Sequence, residues 1–133
     1  MTPSARYREG VRPFDGLEDL DFAYLTTTGR RTGRAHRIEI WFGLSDGILY
    51  LLSGGGDGSD WVRNLRADPQ MRIRVGQIER PARARVVVDP EEDASARRLL
   101  AAKYQGWRED RPLSRWARTA VPVAVEPAED REP

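Results

Sequence analysis

Four arginines and a threonine crowd one short stretch: Arg30, Arg31, Thr32, Arg34 and Arg37, punctuated by Gly29 and Gly33. Guanidinium groups this close repel one another, so the stretch is held best with an anion among them. Their planar forks match phosphate and carboxylate oxygens, and Thr32 adds a hydroxyl donor. A second anion-binding candidate follows at Ser53-Gly54-Gly55-Gly56-Asp57-Gly58-Ser59. It stands between an apolar run and a helical pattern, where backbone N–H groups and a helix dipole can receive negative charge. Its spacing is neither GxGxxG nor GxxxxGK, so it carries no dinucleotide or Walker fingerprint. Asp57 and Asp60 also argue against a bare phosphate cradle.

Reactive side chains of the chain's own are sparse. There is one histidine, His36, and no GxSxG elbow, which leaves hydrolytic nucleophile catalysis without support. His36 and Glu39 have ligand-like spacing, yet in a strand they point to opposite faces, and no second histidine completes a metal site. No cysteine is present, which excludes disulfides and thiolate chemistry and fits a cytoplasmic setting. If the protein is an enzyme, a cofactor carries the reaction.

The elements that position these groups follow from periodicity. The basic stretch lies between the apolar runs 22–25 and 38–44, so it reads as the tip of a β-hairpin in which Gly29 and Gly33 can take positive φ. In the second strand, over 37–44, Ile38, Ile40 and Phe42 share one face, with Glu39 and Trp41 on the other. Asp46-Gly47 is a two-residue turn signal before a strand over 48–52, whose consecutive apolar residues imply burial on both faces. Ser59 is positioned to cap a helix through about residue 66, with Trp61 and Leu65 as its buried pair, and Asp68-Pro69 ends it. Strands are expected over 71–75 and 82–88. Asp89-Pro90-Glu91-Glu92 then opens a longer helix with a cap, a proline at N1 and a capping-box acid, and Gly106 closes it. One or two further turns are expected around Leu113 and Trp116. The last strand, over 121–125, contains Pro122, which predicts an edge or a bulge.

About six short antiparallel strands and two main helices make an α+β fold, a small split β-barrel. The expected organisation is an N-terminal arm over 1–21, the barrel over 22–127 and a disordered tail over 128–133. The 133 residues, 39% hydrophobic and 32% charged, suffice for one domain and one core. The net charge of +1 exerts no global pull toward nucleic acid, and no run approaches membrane-spanning length, so neither nucleic acid nor stable membrane insertion is expected.

Three stretches in order, Leu25-Thr26-Thr27-Thr28-Gly29-Arg30-Arg31-Thr32-Gly33, the strand ending in Ser53-Gly54-Gly55, and Trp61-Val62-Arg63-Asn64-Leu65-Arg66-Ala67-Asp68-Pro69, resemble the deazaflavin-dependent nitroreductase family. The likeness extends to a closing segment, Trp116-Ala117-Arg118-Thr119-Ala120-Val121-Pro122-Val123. The resemblance implies a split barrel that uses the reduced deazaflavin coenzyme F-420 to pass hydride to quinones, nitroaromatics or other activated acceptors. It implies coenzyme contacts at Arg30, Arg31, Thr32, Ser53, Gly54, Gly55, Trp61 and Asn64, to which the residues themselves add Arg34. Tyr104 is the candidate proton donor or acceptor contact, and Trp107 and Trp41 are the candidates on the substrate side.

The chain departs from the family at three places. Gly54 stands where members usually have lysine, His36-Arg37-Ile38-Glu39 stands in place of Arg-x-x-Pro, and the tyrosine-rich substrate segment is reduced to Tyr104 and Trp107. Related barrels bind flavin mononucleotide, haem or fatty acids. A second reading therefore stands beside the reductase: a non-catalytic barrel whose arginines hold the head of an apolar anion such as a fatty acid. The expected partner of the reductase is a small-molecule acceptor, and a homodimer is compatible with the fold.

Overall fold

The computed structural model describes residues 12–128. The tail beyond 128 and the first 11 residues of the expected arm lie outside them. Strand β1 (Ala23–Thr28) alternates cleanly, with Ala23, Leu25 and Thr27 buried, and pairs antiparallel with β2 (Ala35–Ile40). The expected second strand is broken: the chain bends at Trp41 and Phe42 and resumes as the short β3 (Gly43–Ser45). Asp46 and Gly47 take φ of 53° and 81°, the paired left-handed values of a tight hairpin turn, and lead into β4 (Ile48–Ser53). Helix α1 (Asp60–Ala67) follows, then β5 (Gln70–Val75) and β6 (Ile78–Val86). Helices α2 (Pro90–Gln105) and α3 (Arg115–Thr119) precede the last strand, β7 (Val121–Pro127).

The seven strands form one antiparallel sheet in the order β2-β1-β5-β6-β7-β4-β3. Strands β2 and β3 lie at opposite edges yet are joined by two residues. That connection is possible only if the sheet curls until its edges meet, which makes a barrel split along one side. The interior holds Phe14, Leu25, Phe42, Leu49, Leu51, Ile73, Val75, Val123 and Val125. A second layer joins Tyr50, Leu52 and Ala124 to Ala96 and Leu100 of α2. Strand β4 is therefore buried on both faces, as its unbroken apolar run implies. Phe14 is 1% exposed and belongs to the interior, so the segment preceding β1 takes part in the core.

Strand β7 corrects the expectation drawn from Pro122. It is an interior strand, paired with β6 on one side and β4 on the other. The β6 ladder stops at Val86 opposite Val123, and beyond it Val87 N–H donates to Pro122 O at 3.0 Å. The nitrogen of Pro122 faces the same side and cannot return the bond to Val87, so the proline costs a single bond at the end of the β6 ladder.

Helix α2 begins as expected, with the Asp89 carboxylate accepting from Glu92 N–H at 2.8 Å. The reciprocal half of the capping box does not form. The Glu92 carboxylate turns outward, accepting from Tyr50 O–H at 2.6 Å and from both Arg85 terminal nitrogens at 2.8 Å. Arg85 and then Tyr50 hold the Glu92 carboxyl down at about 2. Burial, followed by the Glu92 carboxylate, pushes Tyr50 up to about 12. A lowered carboxylate stabilises the fold above its unfolded value and loses that contribution as pH falls through the folded one. Glu92→Gln should therefore cost about 1–2 kcal/mol at neutral pH, discounted for the exposure of Arg85. The deficit relative to the parent protein should shrink between pH 4.5 and about 2, as measured by denaturant unfolding across that range; a constant deficit would contradict the assignment.

Candidate active site

The β1–β2 connection is closed by Gly29 N–H donating to Arg34 O at 2.7 Å and Gly33 N–H donating to Gly29 O at 2.8 Å. Gly33 takes φ +76°, as expected, but Gly29 does not take a positive φ. Glycine is required at 29 by close approach, since a Cβ there would meet His36 Nε2 at 2.7 Å and Arg34 O at 3.1 Å.

The four arginines have separate fates. Arg30 is turned onto α1, where its backbone N–H and its guanidinium both donate to Asn64 Oδ1, at 3.1 and 2.9 Å. The guanidinium also meets Asp60 Oδ1 at 3.3 Å. Asn64 is 3% exposed and donates from Nδ2 to Thr27 Oγ1 at 3.2 Å, so one amide ties β1, the hairpin and α1 together. Arg31 and Arg34 point outward, and among the described residues neither has an ion-pair partner. Thr32 Oγ1 accepts from Arg34 N–H at 3.2 Å and keeps its own hydrogen to donate. Arg37 lies 4.8 Å above the Tyr24 ring. These side chains, with Ile38 and Trp61, line a cavity of about 520 Å³ between the hairpin and α1. Trp61 is half-buried, with one part against the barrel interior and another on the cavity wall.

The glycine-rich loop is arranged differently. Ser53 is 2% exposed and its hydroxyl bonds to Gly56 O at 3.1 Å and Ser59 Oγ at 2.7 Å. Ser59 flanks α1 as expected, but its side chain is engaged with Ser53 and caps no helix amide. A Cβ on Gly54 would stand 3.3 Å from Trp116 Cδ1, and one on Gly55 would stand 2.5 Å from Ser59 Oγ. Ser53, Gly54 and Gly55 do not line the basic cavity. Gly54 instead leaves room for an indole.

That indole belongs to a second cleft, about 330 Å³, lined by Phe22, Glu39, Ile40, Trp41, Leu52 and Trp116. Trp41 is stacked on Tyr104 at 4.3 Å and 3°, and Trp116 meets Trp41 edge-on at 5.5 Å. The Tyr104 hydroxyl accepts from Phe42 N–H at 3.0 Å and donates to Asp21 O at 2.8 Å. Burial raises its pKa, so it stays protonated. Its hydrogen is committed to backbone, and its ring serves Trp41. Beside it, Lys103 donates to Leu20 O at 2.7 Å and Phe42 O at 3.0 Å. Trp107 donates to Arg111 O at 2.7 Å and does not line the cleft. Trp41, expected on the substrate side, lines this cleft. Phe22, Glu39, Leu52 and Trp116 line it too, and the sequence did not single them out because each also fits a strand or core pattern.

The two cavities share one strand. Ile38 lines the basic one and Ile40 the aromatic one, two residues apart on the same face of β2, about 7 Å along the strand. Two unpaired guanidiniums, a third beside them and a free hydroxyl suit a chain of phosphate and carboxylate groups. The neighbouring aromatic walls suit flat, uncharged rings. The residues present thus fit a molecule with an anionic tail and a planar partner beside it.

By fold this is a split β-barrel, and its basic cavity and aromatic cleft lie side by side along β2. The chain matches the F420H(2)-dependent quinone reductase pattern over residues 3–127 and belongs to that family. It is an oxidoreductase whose coenzyme is F-420 and whose acceptor is a small molecule, and the carrier reading gives way to this one. Solved structures confirm the fold. A conserved hypothetical protein from Mycobacterium tuberculosis superposes with a TM-score of 0.70 at 19% identity, covering 84% of this chain and 75% of that one. An F420 reductase superposes at 0.62 with 20% identity over 92% and 96% of the two chains. An F420-H2 dependent reductase does so at 0.59 with 21% identity over 80% and 95%. Among the described residues no helix is long and apolar enough to cross a membrane.

Two substitutions separate bracing from binding. Asn64→Ala strands buried partners on Thr27 and Arg30 and should lower stability by about 1–3 kcal/mol. Tyr104→Phe removes the partner of Phe42 N–H and should cost about 1–2 kcal/mol while changing tryptophan emission through Trp41. Thermal melts and fluorescence spectra check both; an unchanged melt for Asn64→Ala would remove the brace from the account.

Proposed function

We propose that the basic cavity holds the acidic side chain of F-420 and that the aromatic cleft holds a quinone-type acceptor beside it. The observation that supports this most is the shared wall: β2 runs from one cavity into the other, with cations at its hairpin end and tryptophan at its far end. Reduced F-420, when bound, supplies a hydride, and one further proton from water completes reduction of a quinone to its hydroquinone. Everything else is the work of the chain. Arg31, Arg34 and Arg37 bind phosphate and carboxylate oxygens, and Thr32 donates its hydroxyl to the same chain of anions. Arg30 and Asn64 act one step back, fixing the hairpin against α1 so that the outward arginines are held in place. Trp61 closes the cavity on the α1 side. Trp41, Trp116 and Phe22 receive the acceptor and exclude water, and Tyr104 positions Trp41 from behind. The missing lysine at position 54 is answered here by indole rather than by another cation.

Arg31→Ala and Arg34→Ala should each weaken F-420 binding about tenfold or more at low salt, with melting temperature unchanged, since neither side chain touches the core. The double variant should also flatten the salt dependence of binding. Coenzyme fluorescence titrations and melts provide both readings. Full affinity in the double variant would place the acidic side chain elsewhere.

A further inference from the structure

We propose that Glu39 selects the charge of the acceptor, so that the aromatic cleft admits neutral planar quinones and rejects those bearing acidic substituents. The inference rests on the acceptor-cleft reading above and adds to it a residue and a substrate class. Among the residues lining that cleft, Glu39 alone carries charge; Phe22, Ile40, Leu52, Trp41 and Trp116 are apolar or aromatic. Its carboxylate accepts from Tyr24 O–H at 2.8 Å. No ion pair forms on it among the described residues, so its negative charge is left to act on what enters. Two cations stand over the ring of its partner Tyr24, Arg37 at 4.8 Å and Arg74 at 4.7 Å, and neither lines the cleft.

The sign of charge therefore changes along β2. Arg37 belongs to the cavity at the hairpin and Glu39, two residues on, belongs to the cleft. An anionic chain is drawn to the first and repelled from the second, which also keeps the coenzyme's acidic side chain out of the acceptor's place. Glu39 is exposed at the cleft, so its charge acts on an entering ring through solvent and is screened by salt.

The test uses the protein without coenzyme. Quenching of tryptophan fluorescence gives dissociation constants for 2-methyl-1,4-naphthoquinone and for 1,4-naphthoquinone-2-sulfonate, two-ring quinones that differ in charge. The neutral quinone should bind about tenfold more tightly at low salt, and the ratio should fall as salt is raised. Glu39→Gln, which can still accept from Tyr24, should bring the two within about twofold, and Glu39→Lys should reverse them. With F-420 present, the same substitutions should move KM for the sulfonate more than kcat. Equal binding of the two quinones by the parent protein, or a ratio unchanged in Glu39→Gln, overturns the role of Glu39 and leaves the cleft reading standing. If neither quinone binds, or quenching persists in Trp41→Phe/Trp116→Phe, the cleft reading falls with it.

Discussion

At Phe42 the chain leaves one edge of the sheet for the other, and the backbone there has no strand to pair with. Its N–H is met by the Tyr104 hydroxyl and its carbonyl by Lys103, both from the last turns of α2. Unpaired buried backbone groups are costly, so without this clamp the bend between β2 and β3 would not hold. With it, the edges of a seven-stranded sheet are brought together and a split is left beside β2. Lys103 also lies 3.7 Å from the Phe42 ring centre, and burial lowers its pKa while the acids of the segment before β1 oppose that shift. Around the Lys103 amine, carbonyls and a ring take the place of water.

The hairpin shows how like charges can be crowded without unfolding a loop. One of the four arginines is committed to an amide and a carboxylate on α1, which anchors the turn. Another lies over an aromatic ring beside an acid-bonded tyrosine. The remaining two extend into solvent, where repulsion is screened and an anionic ligand can reach them. Anchoring and solvent exposure are thus divided among residues of a single type. Removing the buried partner and removing an exposed arginine should therefore have unlike consequences.

The aromatic cleft depends on small residues as much as on large ones. Gly54 leaves space for Trp116, and Trp41 is held flat against Tyr104, whose hydroxyl is fixed by the same bend that closes the barrel. The aromatic cleft is thereby coupled to the closure of the fold, while the basic cavity is coupled to the hairpin brace.

Local patterns in the chain determined most of the elements. Alternation in residues 71–75, the Asp46-Gly47 turn, the Asp89-Pro90 helix start and the unbroken apolar run of β4 are each decided by neighbours a few residues away, and all appear where they were read. The basic hairpin and the family pattern were legible for the same reason. Tertiary structure alone decided what depends on distant partners. Pro122 is tolerated in an interior strand because its nitrogen falls at the end of the β6 ladder, a fact of register. Glu92 abandons its capping role because Tyr50 and Arg85 arrive from other strands. Arg30 and Arg31 are adjacent and chemically alike, yet one braces and the other faces solvent, because Asn64 lies on only one side of the turn. Trp116 and Glu39 become neighbours in one cleft only when the sheet curls, since contact between residues so far apart in sequence is set by closure of the barrel and not by any local preference.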